Sequence, residues 1–324
     1  MTESSSAASA VPLSVPRLFY TDHYPITLPE SHKFPVLKYG MVRKLLEKDG
    51  LFQFEPAPPA TMEQIELAHD PAYVRSVLEG SLAPAAMRRI GLPWSDVLVK
   101  RSLASVGGTL AAAQDALRRG WGGTLGGGTH HAFRGEGAGF CVFNDIAVAI
   151  RVLQHGGRIQ RAAVIDLDVH QGDGTAEIFR DSPEVFTLSV HCQSNFPFRK
   201  QQSCLDISLP DKTNDNSYLQ HLDEVLPEVL DFRPEIIFYQ SGVDGLASDV
   251  LGRLSLTHEG LLLRDRKVMA TVSDAGIPLV ITSGGGYSRP IELSVEAHAN
   301  TYRTAWQVFC QQREVAAPAA AQKQ

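Results

Sequence analysis

Apolar positions along this chain come in two rhythms. Short β-rich or apolar runs, each ending in a glycine-rich or polar turn, alternate with stretches whose apolar residues recur at helical spacing. GWGGTL runs into GGGTHH, AAVI into DLDVHQGDG, VFTLSVH into a loop beginning near Cys192, EIIFYQ into SGVDG, and IPLVIT into SGGGYS. Between them the spacing predicts helices. One covers 99–119, with Leu103, Val106, Leu110 and Leu117 on one face; another covers 144–154, with Asn144 as N-cap and Gly156-Gly157 as stop. A third starts after Thr257 and ends near Gly276, and a fourth follows Pro290. Such alternation predicts an α/β fold with a mostly parallel sheet, and no repeat or Pro/Ser-rich linker divides the body, so one domain is expected. In open parallel sheets, ligands bind beyond the carboxyl ends of the strands. Every unusual polar cluster here follows directly after a predicted strand, so loops from several strands are expected to converge on one site.

Composition narrows the field. The chain has 324 residues, 44% hydrophobic and 20% charged, enough to bury a sizeable core and to exclude global disorder. No apolar run reaches the roughly 18 residues that cross a bilayer, and no membrane partner is expected. A net charge of −6 argues against a nucleic-acid binder working through a basic surface. Four cysteines without a C-x-x-C pair form neither a disulfide framework nor a cysteine zinc site. Residues 1–16 and 313–324 read as Ser/Ala-rich flexible tails around a domain at 17–312. With no basic residue before Arg17, the start is no secretory signal, so a cytoplasmic protein with free, mostly buried thiols is expected.

The chemistry concentrates after the strands. Asp166, Asp168 and His170 fall at alternate positions where AAVI ends, so strand geometry predicts that they face one way. Two carboxylates on one face of a buried strand need a cation or hydrogen-bond donors, and Asp with His two residues on is half a ligand set for Zn²⁺ or Fe²⁺. A solvated acidic edge strand is the bland alternative, but AAVI reads as fully buried. The adjacent His130 and His131 need not share one metal. Each can take its own carboxylate, for which Asp166 and Asp173 are suited. Asp244, in the turn after EIIFYQ, is a turn former or a third metal ligand that leaves a coordination position open. Gly284-Gly285-Gly286 lets the backbone approach a ligand closely and aim the Tyr287 hydroxyl at a developing oxyanion. No phosphate-binding loop, nucleophile elbow or H-E-x-x-H motif competes.

With GGGTHH, GFCVFNDIAVA, VIDLDVHQGDGT, SGVDGLASDVLGRLSLT and SGGGY in one order, the chain resembles the zinc-dependent histone deacetylase family, and looks closest to its class IV and related bacterial branch. The likeness runs from about Phe19, through HKFPVLKYG and HDPAYV with His69, to near Cys310. It implies the arginase/deacetylase fold: a single three-layer α/β/α domain around a parallel sheet of about eight strands. It also implies a lysine deacetylase or deacylase that releases a carboxylate and a free amine. Carried over, Asp168, His170 and Asp244 would be the zinc ligands. His131, oriented by Asp173, would be the general base and acid. His130, paired with Asp166, would act electrostatically, and Tyr287 would polarise the substrate carbonyl. A potassium ion would take Asp166, Asp168, the His170 carbonyl, Ser189 and the Val190 carbonyl. Gly139 and Phe140 would wall the acyl-lysine channel, with Leu251 near its mouth.

Two positions depart from the commoner family pattern: Gln171 stands where many members carry a second histidine, which suits the class IV-like branch, and Ser288 where Asn is frequent. The loop after Cys192, with Phe196-Pro197-Phe198-Arg199-Lys200, is expected at the rim. An amidase for acylated polyamines shares the core motifs. A binuclear ureohydrolase would need a ligand at Gly242, and a non-catalytic acyl-lysine binder would be expected to have lost one of the site residues.

Overall fold

The computed structural model describes residues 15–311. The expected C-terminal tail thus lies outside the described residues, and so does the N-terminal one except for Val15 and Pro16. Eight strands form one sheet: β1 (Arg17–Tyr20), β2 (Gln53–Pro56), β3 (Trp121–Thr124), β4 (Ala162–Asp166), β5 (Val185–Cys192), β6 (Leu205–Leu209), β7 (Ile236–Gln240) and β8 (Leu279–Thr282). Their order is β2-β1-β3-β8-β7-β4-β5-β6, and every pairing is parallel.

Helices cover both faces, which explains why β4, β7 and β8 run apolar up to a polar last residue. In β7, Ile237 and Tyr239 point into one core and Ile236 and Phe238 into the other. The same alternation runs through β4, with Ala163 and Ile165 on one side and Ala162 and Val164 on the other. One layer includes the helices Asp96–Arg119 and Asp145–His155; the opposite layer includes Asp215–Asp231, His258–Asp274 and Glu292–Trp306. This is the expected three-layer α/β domain.

Side chains set where the helices begin. Asn144 accepts from the Ala147 N–H at 3.0 Å and Thr257 from the Gly260 N–H at 3.0 Å, as their N-cap positions require. The first long helix starts three residues before its apolar pattern, because the Ser95 hydroxyl caps it by accepting from Leu98 N–H. The five inner runs coincide with strands β3, β4, β5, β7 and β8. Strands β1, β2 and β6 were hidden from the pattern because they lie toward the sheet's margins, short or only partly buried. Helices such as Lys38–Glu47 and Asp215–Asp231 were likewise not read from the sequence. Cys141 and Cys192 are buried while Cys204 is an exposed free thiol, so burial of the cysteines is less general than expected. Among the described residues, no helix is long and apolar enough to cross a membrane.

Candidate active site

Strands β3, β8, β7 and β4 are consecutive neighbours in the sheet, and the clusters singled out from the sequence follow their carboxyl ends. One correction concerns Asp168 and His170. Strand β4 stops at Asp166, so these two residues sit on the turn beyond it and strand alternation does not orient them. Backbone-to-carboxylate hydrogen bonds do: Asp168 N–H donates to Asp166 Oδ1 at 3.2 Å, and His170 N–H to Asp168 Oδ1 at 3.0 Å.

Asp168, His170 and Asp244 are all buried, and their ligand atoms lie within 4.8 Å of one another. His170 Nδ1 stands 3.0 Å from Asp168 Oδ1 and 3.2 Å from Asp244 Oδ2. The far oxygens are aimed by the scaffold: Gln240 Nε2 (3.0 Å) and Gly285 N–H (2.9 Å) donate to Asp168 Oδ2, and Val169 N–H (2.9 Å) to Asp244 Oδ1. Gly285 has to be glycine, since a Cβ there would collide with the Asp244 carboxylate. Burial opposes charge on all three groups. Even so, Asp168 is held well below the usual carboxylate range by the His130 charge and its bonds to His170, whereas Asp244, buried and beside the negative Asp168 carboxylate, is pushed up to about 7. Against the same burial, the two carboxylates lift His170 to about 10. An imidazole between two buried carboxylates is a donor set with surplus negative charge, and it suits a divalent zinc or iron ion.

The two histidines split as their carboxylate partners predict. His130 Nδ1 lies 2.6 Å from Asp166 Oδ2, and His131 Nδ1 lies 2.6 Å from Asp173 Oδ1. Burial lowers both imidazoles, yet the charges of Asp166 and Asp168 reverse this for His130 and raise it to about 9. His131 meets the His130 charge in addition to burial, and falls to about 4 despite Asp173. The Ser189 hydroxyl faces His191 Nδ1 at 3.0 Å, and Ser189 stands opposite Asp166 in the β4–β5 register, with Val190 next to it.

His131, the metal-ligand set and Tyr287 line one cavity of about 670 Å³. Burial raises the Tyr287 phenol well above its ordinary range, so it stays protonated and able to donate. Phe140 and Phe196 form walls: Phe140 packs 6.2 Å from the Tyr287 ring centroid, and Phe196 meets the His131 ring edge-on at 4.9 Å. Gly139 allows this approach, because a Cβ there would come within 2.6 Å of His131 Cδ2. Phe140 itself holds φ +68, a left-handed conformation costing a non-glycine residue roughly 1–2 kcal/mol. Its N–H bond to the Ile90 carbonyl (2.8 Å) and the packing of its ring against Phe34 (5.4 Å) hold it there. Leu251 lies on the cavity wall.

Several supporting residues were missed. Gln240 closes β7 and, besides Asp168, takes the Gly242 N–H at 2.7 Å on its own oxygen. Asp145 gathers the histidine loop by accepting from Gly128 N–H (3.0 Å) and Thr129 N–H (2.7 Å). Arg264, wholly buried, donates to the carbonyls of Leu167 (3.3 Å), Ser241 (3.1 Å) and Gly242 (2.6 Å), which belong to the two ligand-bearing loops. A polar residue ending an apolar strand run was the available signal for Gln240. For Arg264, in an amphipathic helix, there was none. Phe196 was expected at the rim but lies against the histidine itself.

Comparison with known proteins follows the same lines. A family model for the histone deacetylase domain matches residues 32–302. An uncharacterized protein of Picosynechococcus is 45% identical over 305 residues, covering 92% of this chain and 100% of that protein. Histone deacetylase 2 of Arabidopsis thaliana is 33% identical over 296 residues, covering 86% of this chain and 76% of that one. The acetoin utilization protein AcuC of Bacillus subtilis is 34% identical over 224 residues, covering 61% and 57% of the two chains.

Proposed function

The chain belongs to the histone deacetylase family and is a hydrolase acting on amides, and from that footing we propose that it cleaves the side-chain amide of Nε-acylated lysine in proteins or peptides, yielding a carboxylate and the free lysine. The observation that carries the reading is the joint exposure of His131, Asp168, His170, Asp244 and Tyr287 on one aromatic-walled cavity. Asp168, His170 and Asp244 would hold a zinc ion, which when bound supplies a Lewis acid and brings the pKa of water down to about 7. By the family resemblance, Asp166, Asp168, the His170 and Val190 carbonyls and Ser189 would be the residues to hold a potassium ion.

The chain's own residues do the rest. The His131 ring, pinned through Nδ1 by Asp173, presents its other nitrogen to the cavity. Lowered to about 4, it is neutral at pH 7 and accepts the proton of the attacking water. It then delivers that proton to the departing lysine nitrogen, without which the amine could not leave. The Tyr287 hydroxyl donates to the carbonyl oxygen as negative charge develops there. His130, raised to about 9, keeps its proton and adds positive charge behind the reacting centre. Phe140 and Phe196 enclose the acylated side chain and exclude water from it.

Assay of the purified protein on acetyl-, crotonyl- and long-chain acyl-lysine peptides, with N-acetylputrescine alongside, tests the proposal. Turnover of lysine peptides should vanish on chelation and return with zinc. Zinc-loaded protein that turns over no amide would sink it.

A further inference from the structure

The chain carries a net charge of −6, yet the mouth of its cavity is cationic. Lys33, Arg88, Arg89 and Arg253 line it and are exposed. An adjoining hollow of about 340 Å³ shares Lys33, Val250, Leu251 and Tyr287 with it and adds Arg289. The carboxylates among the lining residues of both hollows are Asp168 and Asp244, buried at the floor.

Neighbouring acids are already engaged. Glu136 pairs with Arg89 at 2.6 Å and Asp211 with Arg253 at 3.4 Å. Asp249 accepts from the N–H groups of Leu251 (2.8 Å), Gly252 (2.8 Å) and Tyr287 (2.6 Å). Lys33, Arg88 and Arg289 have no ion-pair partner among the described residues. His32, beside Lys33, is turned to the backbone: its Nδ1 accepts from Phe34 N–H at 3.0 Å and its Nε2 faces the Gly91 carbonyl at 2.9 Å. Between the cations the mouth exposes apolar surface, with Phe198 at 87% and Val250 at 48% exposure.

We infer that this mouth selects acyl-lysines carried on acidic segments, with Asp or Glu side chains of the substrate meeting Lys33, Arg88 and Arg289 and an apolar neighbour meeting Phe198 or Val250. The inference rests on the acyl-lysine reading above. Acylation removes the charge of the lysine that enters the channel, so the first charges the mouth meets are those of the flanking residues. Single exposed pairs contribute little. Several unpartnered cations around one concavity, however, act together on approach and on discrimination, attracting anionic segments and repelling cationic ones. Lysine- and arginine-rich tails are thereby disfavoured. So are acylated polyamines, whose remaining amines are protonated. The amine product gains its charge on cleavage, and the same cations favour its departure.

The test uses zinc-loaded enzyme and three acetyl-lysine peptides of equal length, with flanks of Asp/Glu, Ala/Ser or Lys/Arg, assayed at low and at physiological salt. The acidic peptide should exceed the basic one in kcat/KM by roughly tenfold or more at low salt, mainly through KM, and the gap should shrink as salt screens it. A Lys33→Glu, Arg88→Glu, Arg289→Glu variant, shown to be folded by circular dichroism, should reverse the order. Equal efficiency on the three peptides, a preference for the basic one, or an unchanged order in the variant overturns the inference alone. Absence of turnover on all three, and on their crotonyl- and long-chain acyl-lysine counterparts, overturns it together with the acyl-lysine reading.

Discussion

His130 and His131 are adjacent in the chain and titrate in opposite directions, to about 9 and about 4. Nothing in the dipeptide distinguishes them. The difference lies in what surrounds each ring: the charges of three carboxylates, Asp166, Asp168 and Asp173, reach His130, while His131 has one carboxylate and two neighbouring imidazoles. Their assignment to Asp166 and Asp173 was legible, since those two acids were left over once the ligand set was drawn. Tyr287 was legible too, as the aromatic after three glycines. Removing only its hydroxyl isolates its part in the chemistry. Tyr287→Phe should lower kcat by about 10²–10³-fold with thermal stability close to that of the parent; an unaffected kcat would remove the phenol from the mechanism. Phe196 was less legible, because its contact with His131 spans a loop whose path no local pattern specifies.

At the scale of elements, the site is a set of turns held in place from behind. Strand β4 delivers Asp166 and then stops, and the turns after β4 and β7 carry the three candidate ligands. Arg264, from the helix His258–Asp274, ties the two turns together through three of their carbonyls, while Asp265 takes the Arg264 Nε–H (2.9 Å) and also the Tyr239 (2.5 Å) and Thr301 (2.6 Å) hydroxyls. Replacing Arg264 with Met would strand buried carbonyls and the Asp265 charge. A loss on the order of 3–5 kcal/mol is expected, read as a shift in the urea midpoint, together with weaker zinc retention against a chelator. A loss under about 1 kcal/mol with unchanged zinc retention would show that the turns hold without it. The inner strands and capped helices were readable because burial on both faces and a polar N-cap leave local signatures. The marginal strands β1, β2 and β6 carry no such signature, since half-exposed residues in short runs resemble loops.

For the whole molecule, the response to acid follows from histidines buried without charge. His69 is the clearest: its Nε2 accepts from the Asn144 N–H at 2.8 Å, a bond that protonation would destroy, and burial lowers it from 6.5 to about 4. Between those values the unfolded chain binds a proton there that the folded chain does not. The stability His69 contributes is therefore complete above about pH 6.5 and drains away as pH falls toward 4. The difference amounts to about 2 kcal/mol between pH 7.5 and pH 5. Urea unfolding of the parent and of His69→Gln at the two pH values checks this. The variant should lose less on acidification, and equal losses would show that His69 is not a titrating group in the transition.

By itself the sequence determined the α/β class, the inner strands, and the residues able to hold a metal, move a proton and polarise a carbonyl. Those properties belong to residue types and to short spacings, which a strand end or a glycine turn expresses locally. The order of the sheet was not written in any such pattern. β3, β8, β7 and β4 stand side by side only because burying both faces of the sheet under helices favours that arrangement. Everything depending on that order was decided in three dimensions: the 4.8 Å clustering of Asp168, His170 and Asp244, the opposite titration of His130 and His131, and the tie through Arg264. The ring of cations belongs with them. Lys33, Arg88 and Arg289 come from distant parts of a chain whose net charge is negative, and electrostatic fields depend on separation in space rather than along the sequence.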